Sequence, residues 1–82
     1  MQNLLSNEVI SNQTLKKYVT DVTFVIQPEG GTIKAQNYVN NEWVDIEAYT
    51  ANTSIDISVR GGAEWRFNIT GAGRVDYYYY AE

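Results

Sequence analysis

Ser54-Ile55-Asp56-Ile57-Ser58-Val59 and Trp65-Arg66-Phe67-Asn68-Ile69-Thr70 are the two runs that decide the fold. Successive side chains of an extended strand point to opposite faces. Ile55, Ile57 and Val59 therefore share one face, with Ser54, Asp56 and Ser58 on the other. Trp65, Phe67 and Ile69 likewise face in, and Arg66, Asn68 and Thr70 face out. Gly61-Gly62 lies between the runs, and glycine supplies the positive φ that a turn between strands needs. The pair reads as two half-buried strands of an antiparallel arrangement.

The same period extends outward. Thr20 to Gln27 aligns Val22, Phe24 and Ile26, and Val25 on the opposite face points to burial on both sides. Thr32 to Tyr38 is a weaker strand with Ile33 and Ala35 on its inner face. Trp43 to Ala48 places Val44, Ile46 and Ala48 on one face. Trp43, Asp45 and Glu47 take the other, with Trp43 at an edge or rim. Val75-Asp76-Tyr77-Tyr78-Tyr79-Tyr80 is the closing strand. Pro28-Glu29-Gly30-Gly31, Asn40-Asn41, Ala51-Asn52-Thr53 and Gly71-Ala72-Gly73 supply the remaining turns. This predicts an all-β domain, a small antiparallel β-sandwich or barrel of six to seven strands.

Residues 1–18 break the pattern and read as an N-terminal arm or edge strand ahead of a β domain at 19–82. Leu4, Leu5, Val9 and Ile10 are its apolar residues, and any strand is expected near Val9 to Leu15. Asn3, Ser6, Asn7, Ser11 and Asn12 disfavour a helix there. An apolar arm suits docking onto a neighbour, and removal of residues 1–12 is expected to leave a folded domain that docks weakly.

The chain has 82 residues, enough for one domain that buries roughly 60–65% of its unfolded surface. It contains neither Cys nor His. Disulfides cannot reinforce it, and the usual zinc and haem ligand sets are missing. Oligomerisation is the common remaining route to stability for so small a core.

The formal charge of −4 disfavours a nucleic-acid partner. No apolar stretch approaches a membrane span, and the first ten residues lack the pattern of a signal peptide. Use without secretion is expected, with no cofactor. Triads and thiol nucleophiles need His or Cys. Asp45 and Glu47, on one face of a strand, are the best carboxylate pair, although a solvated polar face explains them more simply. Glu29, Asp45 and Asp56 are the candidate hard-cation ligands, with no dense loop to gather them.

The tyrosine run puts aromatic rings on both sides of its strand. Tyr77 and Tyr79 share the face of Val75 and read as core, with hydroxyls reaching the rim. Tyr78 and Tyr80 face away. Three readings stand for them: packing under the arm, a subunit or partner interface, or a sugar-stacking platform shared with Trp43. The interface candidates are Leu4, Leu5, Val9, Ile10, Trp43, Tyr78 and Tyr80.

The strand Val22-Thr23-Phe24-Val25-Ile26 and the turn Glu29-Gly30-Gly31-Thr32 have a familiar form. So do the segments Trp43-Val44-Asp45-Ile46-Glu47-Ala48-Tyr49-Thr50-Ala51 and Glu64-Trp65-Arg66-Phe67-Asn68-Ile69-Thr70-Gly71, with the closing strand. From about Val19 to Tyr80 the chain resembles the small all-β virion proteins of tailed bacteriophages, of the head-decoration (cement) or short-spike type. The tyrosine run has no counterpart in that pattern, so no family binding residues carry over.

The resemblance implies a non-enzymatic capsid decoration protein, made in the host cytoplasm and carried on the capsid surface of the virion. It implies a homotrimer that binds the major capsid protein or another virion protein, with no nucleic acid and no membrane as partner. A tail, neck or host-contacting fibre component is the alternative within that class. A small carbohydrate-binding β module is the alternative outside it.

Overall fold

A computed structural model of the chain describes residues 1–15 and 19–79. Two antiparallel sheets pack face to face in a β-sandwich. The strands are β1 (Gln2–Leu4), β2 (Asp21–Gln27), β3 (Ile33–Val39), β4 (Glu42–Tyr49), β5 (Thr53–Ser58), β6 (Trp65–Ile69) and β7 (Arg74–Tyr78). One sheet has the order β1-β7-β2-β5 and the other β4-β3-β6. Each strand after residue 18 matches one of the six alternating runs within a residue or two. The two sheets are separate, so the architecture is a sandwich and not a closed barrel.

The inward positions of both sheets meet in one core. Phe24 of β2 and Phe67 of β6 are fully buried, their ring centroids 4.8 Å apart across the sandwich. Val22, Ile26, Ile33, Ala35, Ile57, Val59, Val75 and Tyr77 pack round them. Burial is nearly complete at each even position of β2 from Val22 to Ile26, as period two requires. Val25 is half-buried on the opposite face. Tyr77 belongs to the core, and its hydroxyl donates to Gln2 Oε1 at 2.8 Å. Tyr79 packs against the same cluster.

Turn chemistry fixes the register. Asn40 and Asn41 both take positive φ, 51° and 66°, which is the backbone of a two-residue hairpin loop matched to strand twist. Gly31 has a different reason to be glycine. A Cβ there would sit 2.5 Å from the carbonyl oxygen of Thr70, so the turn after β2 can approach the end of β6 only without a side chain.

The first fifteen residues belong to the sandwich. β1 is an edge strand paired with β7, at Gln2–Leu4 and not near Val9 to Leu15. Ser11 and Thr14 are the reason. Ser11 Oγ accepts from the backbone N–H groups of Gln13 and Thr14, while Thr14 Oγ1 accepts from the Ser11 N–H. This reciprocal pattern curls the chain into a turn where extended backbone was expected.

Between β1 and that turn the segment runs along β6. Asn7 N–H donates to Phe67 O, and Ile10 exchanges backbone hydrogen bonds with Trp65. Leu4 and Ile10 are 1% and 2% exposed. The N-terminal segment thus covers the outer edges of β7 and β6, closing one side of the sandwich. The opposite side ends in β4 and β5.

Candidate docking surface

The expected surface residues do not gather in one place. Leu4 and Ile10 are core, because their strand and bridge positions point them between the sheets. Val9 is half-buried. Leu5 is 67% exposed beside an open groove of about 590 Å³ lined by Asn3, Ser6, Ile69 and the Gly71–Arg74 turn. Tyr78 lies on the outer face of the four-stranded sheet and Trp43 on the outer face of the three-stranded one. The sandwich separates them, so the two rings make no common sugar platform. Tyr80 lies outside the described residues.

Around Trp43 the structure assembles something the sequence did not reveal. Trp43 pairs with Tyr38 across the β3–β4 hairpin, with ring centroids 5.1 Å apart. The Arg66 guanidinium, brought in from β6, lies 4.3 Å from the indole centroid, within the range of a cation–π contact. Arg66 Nε donates to Gln36 Oε1 at 2.7 Å, and Gln36 Nε2 donates to Asp45 Oδ1 at 2.7 Å. Lys34 Nζ stands 3.8 Å from Asp45 Oδ2. One ladder of contacts therefore crosses all three strands and fixes Trp43 in place.

A β-bulge decides which residues join this ladder. Ala35 pairs with Glu47 but Gln36 pairs with Asp45, which leaves Ile46 without an opposite residue. The extra residue shifts the alternation by one. Trp43 and Asp45 lie on the outer face with Lys34, Gln36 and Tyr38. Glu47 moves to the face of Ala35 and Ile33. Asp45 and Glu47 consequently fall on opposite faces, which removes them as a paired-carboxylate site. Among the described residues no three carboxylates come together to hold a metal ion.

The bulge also changes the expected apolar face of β4. Val44, Ile46 and Ala48 were expected to share one face, yet all three are exposed. Ile46, at the bulge, is 52% exposed. Val44 pairs with Asn37 near the hairpin end. Tyr38 and Val39 are exposed as well, Tyr38 on the outer face beside Trp43 and Val39, paired with Glu42, on the other face of the hairpin. β4 is an edge strand, with β3 as its only hydrogen-bonded neighbour among the described residues.

A second polar cluster lies on the four-stranded sheet. Asp76 is only 8% exposed although it sits on the outer face. Arg74 Nη2 donates to its Oδ1 at 2.8 Å, and Asn3 Nδ2 donates to the same atom at 3.3 Å. The Arg74 hydrogen bond holds the Asp76 carboxyl below the usual aspartate range. Asn3 is on β1, so this carboxylate also ties the first strand to the last. Burial pushes the Tyr77 hydroxyl up, with Glu8 and Tyr79 adding to the shift. Burial does the same to Tyr49, assisted by Glu47.

No family model, curated protein or solved structure matches this chain.

Proposed function

We propose that this chain is a non-enzymatic structural protein of a tailed-bacteriophage virion, a capsid decoration protein that docks on the major capsid protein as a homotrimer. The observation that supports docking is the apolar hairpin. Tyr38, Val39, Val44 and Ile46 are each a third or more exposed and are spread over both faces of the β3–β4 hairpin, and exposed apolar residues gathered on one element support a docking role. The virion itself enters through the likeness of the strand and turn segments to small phage head proteins.

The physics of the role fits a small domain of this shape. A cement protein adds buried area across joints between capsid subunits and needs no chemistry. Each copy can bind weakly, because a trimer engaging several sites gains from effective concentration. A hairpin held by the Trp43–Arg66–Gln36–Asp45 ladder presents its apolar residues with little ordering cost.

The test is sedimentation of the purified chain with capsids assembled without it. Saturable co-sedimentation, with density for the chain on the outer shell, is the expected result. Density on a tail or neck instead would move the protein to that part of the particle, and absence from purified virions would refute the proposal.

A further inference from the structure

We propose that β4 is the receiving edge for an extended strand from the partner, one that carries lysine or arginine interleaved with apolar residues. This deepens the docking reading above and rests on it. Of the two edges on the open side, only β4 is built to receive. The outward residues of β5 are Ser54, Asp56 and Ser58, and Asp56 is already bonded to Thr23 Oγ1 at 2.6 Å. The edge at β4 combines backbone that no other described strand pairs with exposed Val44 and Ile46 and the fixed ring of Trp43. Strand addition uses such an edge: main-chain hydrogen bonds supply affinity, and side-chain contacts supply specificity.

Charge selects the occupant. β4 carries Glu42, Asp45 and Glu47 and no basic residue, and β5 adds Asp56 and again no basic residue. Lys34 offsets Asp45 only in part, through an exposed pair at 3.8 Å. A second copy of β4 would bring three more carboxylates to an edge that already carries three and no cation of its own, and like charges brought together across strands are destabilising. A basic–apolar strand avoids this, with cations against the three carboxylates and apolar residues against Val44 and Trp43.

The test uses the intact chain and a capped synthetic peptide, Lys-Lys-Val-Val-Lys. In the antiparallel register that β3 takes across the bulge, it sets lysine against Glu47, Asp45 and Glu42, and valine against Val44 and Trp43. A control peptide replaces each lysine with glutamate. Amide NMR shifts are expected at Glu42–Glu47 with the lysine peptide, weakened by salt, and absent with the glutamate peptide. Val44→Lys with Ile46→Lys, both at exposed positions, should keep the wild-type spectrum elsewhere and weaken peptide binding about tenfold or more.

Shifts centred on β1 and the groove, equal binding of both peptides, or no shift would overturn the proposal. So would concentration-dependent self-association through β4. The two readings fail separately. Peptide capture without capsid binding would remove the virion and keep the edge. Capsid binding unaffected by the double variant would do the reverse.

Discussion

Asp76 shows how a single residue departs from its strand's pattern. By alternation it belongs to an outer, wet face, yet Arg74 and Asn3 cover it and bond to it. Its folded-state pKa is lowered, so the stability it contributes is present above the ordinary aspartate value of about 3.9 and is lost as pH falls through the lower folded value. Urea unfolding at pH 7 and pH 3 should therefore show a smaller acid-side loss for Asp76→Asn than for the wild-type chain. Gly31→Ala tests close backbone approach. Its Cβ would meet Thr70 O at 2.5 Å, and the forced shift should cost about 1–3 kcal/mol in the same assay. In the core, Phe67→Ala removes the ring that faces Phe24 and should cost about 3–5 kcal/mol.

At the level of elements, period two was legible wherever one face of a strand packs on the core. β2, β5, β6 and β7 are such strands, and the inward sets of Val22, Phe24 and Ile26 or of Trp65, Phe67 and Ile69 could be read directly. β4 could not. Its bulge at Ile46 inserts one residue, and nothing in Val44-Asp45-Ile46-Glu47 marks the shift, because the residues that could have done so are apolar and acidic in turn. The ladder from Trp43 to Arg66 was equally hidden, since it needs β6 to lie beside β3. The N-terminal segment has no period, and its place follows from long-range pairing with β7 and β6. Because Leu4 and Ile10 are buried, removal of residues 1–12 should unfold the domain or lower its Tm steeply, where a freely docked arm would leave it folded. Leu4→Ala and Ile10→Ala should each cost about 2–5 kcal/mol by urea denaturation.

The described residues form a sandwich with one side closed by its own N-terminal segment and the other ending in two edges, β4 and β5, that no further described strand pairs. An apolar, acidic edge on a small domain is an aggregation hazard unless something occupies it, and the bulge, Asp45 and Glu47 moderate that hazard without covering Ile46. A larger assembly that receives this edge resolves the conflict, and the virion is the assembly proposed. Light scattering on the purified chain is expected to give a trimer mass. The most direct measurement is amide hydrogen exchange on the chain free and seated on capsids assembled without it. The account predicts new protection at Glu42–Glu47 with little change at Gln2–Leu4. Protection confined to β1 and the Gly71–Arg74 turn, with β4 exchanging as in the free chain, would contradict it.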